Sequence, residues 1–152
     1  MAPSEQSTKH EHDARLGART AGLRASILAG IVYDWIAAAL IFAARPEHLA
    51  AMRLPAPADP FHFKFAALLL AILPVFYLLP WRDPQRYSGV VGAMIVARLA
   101  GCAYLALYGA ALHVPATYSV FALIDLVFAA AHALLARRAR LSMRDLFPIF
   151  AR

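Results

Sequence analysis

Four stretches of this chain are each long enough and apolar enough to cross a lipid bilayer, and that excludes most folds at once. They are residues 23–44 (LRASILAGIVYDWIAAALIFAA), 61–80 (FHFKFAALLLAILPVFYLLP), 88–112 (SGVVGAMIVARLAGCAYLALYGAAL) and 117–136 (TYSVFALIDLVFAAAHALLA). A helix rises ~1.5 Å per residue, so about 20 residues cover a hydrocarbon core ~30 Å thick. Apolar residues occur all round the helical wheel, with none of the period-2 alternation that a membrane-barrel strand requires. The fold class expected is all-α, a four-transmembrane-helix bundle. With 62% hydrophobic and 16% charged residues in 152 positions, the sequence has no room for a separate soluble catalytic domain.

The first span follows positive residues and ends in "FAA", which resembles a secretory signal with its cleavage site. Its apolar stretch is nearer 20 residues than the 7–15 of a signal core, it contains an acid, and its leader is long, so it reads as an anchor that stays in place. Lys9, Arg15, Arg19 and Arg24 precede it, Arg82 and Arg86 lie between the second and third spans, and Arg137, Arg138, Arg140, Arg144 and Arg152 follow the fourth. The other side has only Arg45 and Arg53, so the positive-inside rule places both termini in the cytoplasm. A basic rim beside anionic lipid accounts for the net charge of +6 without nucleic acid.

The organisation expected is a disordered tail over 1–22, a membrane domain over 23–137 and a basic interfacial tail over 138–152. His10 and His12 flank Glu11, a ligand set too small on a flexible tail to argue for a metal. In the first outer loop, Pro46 and Glu47 suit a short helix whose Leu49 and Met52 would face the bilayer surface. "LPAPADP" then runs extended. The turn "PWRDPQRY" sets Trp81 and Tyr87 at headgroup level, and "LFPIF" near the C-terminus suggests a segment on the inner leaflet or one that docks a partner.

Charged residues within spans are rare and face the bundle interior, where pairing offsets a desolvation cost of at least ~3 kcal/mol each. Asp34 lies ten residues past Arg24, Arg98 ten past Ser88, and Asp125 nine past Ala116 counted from the opposite side. At ~1.5 Å per residue all three fall near one level, where a guanidinium can fork to two carboxylates. A polar midplane site of Asp34, Arg98 and Asp125 is therefore expected. Small residues recur every four positions at Ser26, Gly30, Asp34 and Ala38, and again at Ala93, Ala97 and Gly101, which would let these helices approach closely.

Tyr33, Cys102, Tyr104, Tyr108 and His132 are the candidate lining around that site; Asp125 and His132 share a face, as do Arg98 and Cys102. Such a lining suits the head of a quinone or lipid, or it serves only to fix helix register. A lone mid-span His without a partner at its depth argues against haem, and the single Cys102 excludes an internal disulfide and gives no metal cluster. Lys64 reads as a snorkelling residue and Pro74 as a bend in the second span. No phosphate loop, nucleophile elbow or metalloprotease motif is present.

An acid in the first span, "RPEHLAAMRLPAPADPF", "YLLPWRDPQRY", "ARLAGCAYLAL" and the Asp of "LIDLVFAA" together resemble the small bacterial four-helix membrane proteins grouped as DoxX-like, over residues 23–137. The resemblance implies a cytoplasmic-membrane bundle associated with quinone-linked or redox partners. It assigns no catalytic residue, and there is no cysteine pair for thiol chemistry. The function expected is an accessory or stabilising subunit of a larger membrane complex, with lipids, other subunits or further copies of itself as partners. The alternatives are a membrane enzyme using an Asp as acid or base on an apolar substrate, and a proton or small-solute carrier acting as an oligomer.

Overall fold

A computed structural model describes residues 3–54, 56–112 and 116–148, with side chains from residue 17 onward except at 111 and 112. The described residues fold into six helices: α1 (Pro3–Ala43), α2 (Pro46–Ala51), α3 (Pro60–Arg82), α4 (Ser88–Leu112), α5 (Ala116–Arg138) and α6 (Met143–Leu146). Four contain segments long and apolar enough to cross a membrane, over 17–43, 60–82, 88–110 and 116–138. The chain is a multi-pass, four-helix membrane protein. The first helix differs from expectation, because its backbone is already helical at Pro3 where an unstructured tail was expected over 1–22. Residues 5–16 are rich in Glu, Gln, Lys, Arg and Ala, which propagate a helix at low cost once the apolar span has nucleated it. The side chains of His10, Glu11 and His12 lie outside the described residues.

Consecutive spans form two close pairs, α1 with α3 and α4 with α5, which meet through α1 against α5 and α3 against α4. Leu23, Ile27 and Ile31 form an i, i+4 stripe on α1, fully buried in a core cluster that also holds Tyr77 of α3, Val91, Met94 and Ile95 of α4 and Ala136 of α5. Leu40, Leu107 and Leu123 point outward and are at least 60% exposed. Against lipid tails such exposure has no hydrophobic penalty, so close packing and polar contacts decide which faces turn inward.

The small-residue stripe of α1 behaves as expected: a Cβ on Gly22 would touch Leu135 at 3.2 Å, while Gly30 faces His132, so this face approaches α5. On α4 the expectation is corrected. Ala93 and Ala97 are exposed, and the inward arc carries Val91, Met94 and Arg98 instead. The charge at Arg98 sets the rotation of α4, since its cost is offset only inside.

Pro74 deprives the Leu70 carbonyl of its helical donor. In the same turn the Ala71 carbonyl accepts a hydrogen bond from Trp35 Nε1 at 3.1 Å, tying α3 to α1. At one end of the bundle Arg24 Nε donates to the Trp81 carbonyl (2.8 Å) and Gln85 Nε2 to the Ala139 carbonyl (3.0 Å). That end holds the start of the α1 span, the α3–α4 turn and the end of α5. At the other end Thr117 Oγ1 donates to the Met52 carbonyl at 2.8 Å. Leu49 of α2 is buried, not turned to the bilayer surface, because the α2 cap folds it under the loop. The Leu54 N–H donates back to the Leu49 carbonyl (2.8 Å) with Arg53 left-handed at φ 55°.

The same cap ends α5: Leu141 N–H donates to the Ala136 carbonyl (3.0 Å), with Arg140 at φ 60°. It turns the chain back onto the bundle. The segment after 138 was expected on the leaflet or a partner, yet Leu141 and Leu146 are buried and α6 packs on α4. Gly92 makes this docking possible, since a Cβ there would collide with the backbone carbonyl of Leu146. Ile149 and Phe150 of "LFPIF" lie outside the described residues.

Candidate functional site

Asp34 on α1, Arg98 on α4 and Asp125 on α5 form one ion-paired group. Arg98 Nη2 donates to Asp34 Oδ2 at 2.6 Å and Nη1 donates to Asp125 Oδ1 at 2.7 Å. Both bonds are short and charge-assisted, and the planar fork fixes the two carboxylates relative to each other. Burial is uneven, with side-chain exposures of 3% for Asp34, 10% for Arg98 and 16% for Asp125. Asp34 is the enclosed end and Asp125 the edge. Gly101 admits the second acid, because its Cβ position lies only 2.7 Å from Asp125 Oδ2.

Two aromatic rings complete the enclosure of the guanidinium. Arg98 Cζ lies 5.6 Å from the Tyr33 ring centre and 5.1 Å from that of Phe128, and the two rings are 5.5 Å apart. Their π-faces stabilise the cation where water is excluded. Tyr77 on α3 is also buried and lies within electrostatic range of all three charges.

His132 is fully buried, and its ring lies 5.9 Å from that of Phe128. From the Cβ position of Gly30, His132 Nε2 is 3.8 Å away and Arg98 Nη2 is 3.7 Å away, so ring and guanidinium converge on the bare face of that glycine. The Ser26 carbonyl approaches the ring outside hydrogen-bonding geometry, and neither His132 nitrogen is paired. Asp34 Oδ1 is unpaired as well. Three buried polar atoms thus face the interior without a protein partner, where each costs roughly 1–3 kcal/mol if left dry.

Of the candidate lining, Tyr33 and His132 belong to this group, and Cys102 sits one turn beyond Arg98, partly buried. Tyr104 and Tyr108 lie elsewhere. They stack at 5.8 Å, Tyr108 meets Tyr118 at 5.8 Å, and Tyr104 is 65% exposed, which makes an aromatic ladder on the α4–α5 surface. Tyr104 is six residues past Arg98, about 240° round the wheel and ~9 Å along the axis, so it shares neither the face nor the level of the charged group. Phe128 and Tyr77 are additions that sequence reading missed. Phe128 was legible, lying three residues after Asp125 and four before His132 on their shared face. Tyr77 carried no comparable signal.

No protein-family model, curated protein or solved structure matches this chain.

Proposed function

We propose that this chain is a small integral protein of the bacterial inner membrane, with both termini in the cytoplasm, that serves as an accessory subunit of a larger quinone-linked membrane complex. The Asp34–Arg98–Asp125 group, with His132 beside it, is where it engages the polar head of a quinone or lipid. The observation that carries this reading is the set of unpaired buried atoms, Asp34 Oδ1 and both nitrogens of His132, beside the guanidinium that forks to both carboxylates. A cluster serving only as a register pin gains nothing from such atoms, whereas a carbonyl or hydroxyl head supplies both acceptor and donor. The DoxX-like resemblance and the lipid-facing belt support the same reading.

Gentle extraction with native lipids followed by native mass spectrometry is the test. The expected spectrum shows the chain with a partner subunit and a retained quinone or lipid, the small molecule being lost in Arg98→Ala. A chain that flies alone with neither would overturn the proposal.

A second reading, acid–base catalysis on an apolar substrate, is favoured by the same unpaired Asp34 Oδ1. Catalysis at this site is excluded if Asp34→Asn and Asp125→Asn both leave the cellular phenotype intact.

A further inference from the structure

The basic end of the bundle carries a second feature, independent of the charged group at mid-helix. A cleft of about 260 Å³ opens between the start of the α1 span and the α3–α4 turn, lined by Gly17, Thr20, Arg24, Arg82, Asp83, Pro84 and Gln85. That volume is many times a water molecule's share of ~30 Å³ and just below the range of ~300–1,000 Å³ typical of drug-sized ligands. It suits one small polar group. Two guanidinium groups and one carboxylate line it, so the cleft itself is net positive.

Its walls are held in place by the chain rather than by any ligand. Arg24 Nε donates to the Trp81 carbonyl, which fixes the root of one guanidinium beside Arg82 and leaves its terminal nitrogens unspent by that bond. The turn is pinned by Asp83 N–H to the Leu79 carbonyl (3.1 Å), Arg86 N–H to Asp83 Oδ1 (3.1 Å) and Gln85 Nε2 to the Ala139 carbonyl (3.0 Å), and Pro84 is buried beneath it. Trp81, whose carbonyl anchors Arg24, belongs at headgroup depth and brings the cleft to that level. Arg24 and Arg82 both line the cleft, and a phosphate can accept charge-assisted hydrogen bonds from two guanidinium forks at once.

We infer that the cleft between α1 and the α3–α4 turn is a binding site for the phosphate of an anionic phospholipid headgroup, gripped by Arg24 and Arg82. The site differs from a diffuse basic rim, in which any surface arginine adds a similar ~1 kcal/mol of attraction. Asp83 opposes the ligand and limits its charge.

Full-length protein in nanodiscs of phosphatidylcholine, titrated with phosphatidylglycerol and read by native mass spectrometry, tests the assignment. Arg82 is exposed and makes no hydrogen bond that the fold depends on, so Arg82→Gln keeps the fold. It is expected to lower phosphatidylglycerol affinity at least about tenfold, as loss of a charge-assisted contact implies. Arg144→Gln removes an equal charge from the same end outside the cleft and is expected to cost no more than about fivefold. Asp83→Asn, which keeps the oxygen that accepts from Arg86 N–H, is expected to tighten binding. Equal losses in Arg82→Gln and Arg144→Gln, or no gain in Asp83→Asn, would reduce the cleft to diffuse attraction and overturn the site. Displacement of the lipid by millimolar inorganic phosphate would assign the cleft to a soluble phosphate and overturn the lipid. None of these outcomes bears on the mid-helix group.

Discussion

A single guanidinium carries the electrostatics of the bundle interior. Removing it as Arg98→Ala leaves the buried Asp34 carboxylate and the partly exposed Asp125 without their cation, and the expected destabilisation is about 3–5 kcal/mol by chemical unfolding in detergent. Replacing the whole group, as Asp34→Leu with Arg98→Met and Asp125→Leu, is expected to restore or exceed wild-type stability while abolishing retention of the small molecule. That contrast separates a ligand site from a structural pin. The two glycines of the site should also respond oppositely. Gly30→Ala meets its neighbours at 3.6–3.8 Å, ordinary contact distance, and should gain up to ~1 kcal/mol of helix propensity, whereas Gly101→Ala pushes at Asp125 Oδ2 from 2.7 Å and should loosen the ion pair. Thermal midpoints of the two variants check this.

Counting residues brings Asp34, Arg98 and Asp125 to one level because depth along a helix is linear in sequence. Azimuth is not. Tyr104 and Tyr108 share a helix with Arg98 yet face away, and the inward rotation of α4 onto Val91, Met94 and Arg98 depends on pairing with two other helices. The unpaired state of His132 is invisible to spacing, because it depends on which atoms α1 fails to present.

At the scale of elements, the terminal segment is the informative case. Ser142 and Asp145 form a reciprocal cap on α6, with Ser142 N–H donating to Asp145 Oδ2 (2.7 Å) and Asp145 N–H to Ser142 Oγ (3.2 Å). The Ser142 side chain and N–H hold the Asp145 carboxyl below its usual range. A carboxylate whose folded-state pKa is depressed contributes stability above its unfolded pKa, and that contribution is lost as pH falls through the folded value. Docking of α6 on α4 is therefore expected to weaken on acidification below the ordinary carboxylate range, read as faster amide exchange over 141–147. Gly92→Ala should undock α6 at every pH, since a backbone carbonyl cannot move aside as a side chain can. Little of this was legible in advance. "LFPIF" reads as an interfacial segment by composition, and only the left-handed turn at Arg140 aims it back at the bundle.

For the whole molecule, the apolar pattern alone was enough to count the four spans and, apart from the start of α1, to place their ends within a few residues, because span length is set by bilayer thickness. Orientation rests on charge asymmetry and has its own check. In a Cys102→Ala background, Ala58→Cys is expected to react with an impermeant maleimide in intact cells, and Met143→Cys only after the membrane is opened. Both positions are exposed. The reverse pattern would place the termini outside.

The pairing of α1 with α3 and of α4 with α5 divides the three charges unequally. Arg98 and Asp125 belong to one hairpin and can neutralise each other as it forms, but Asp34 lies in the other, 64 residues before its partner. At ~5–20 residues per second of synthesis, the acid waits roughly 3–13 s for Arg98 to be made. During biogenesis the first hairpin is therefore an orphan that must keep its carboxyl protonated or close to the insertion machinery. A chain truncated after α3 carries that defect permanently, which marks it for the proteases that clear incomplete membrane proteins.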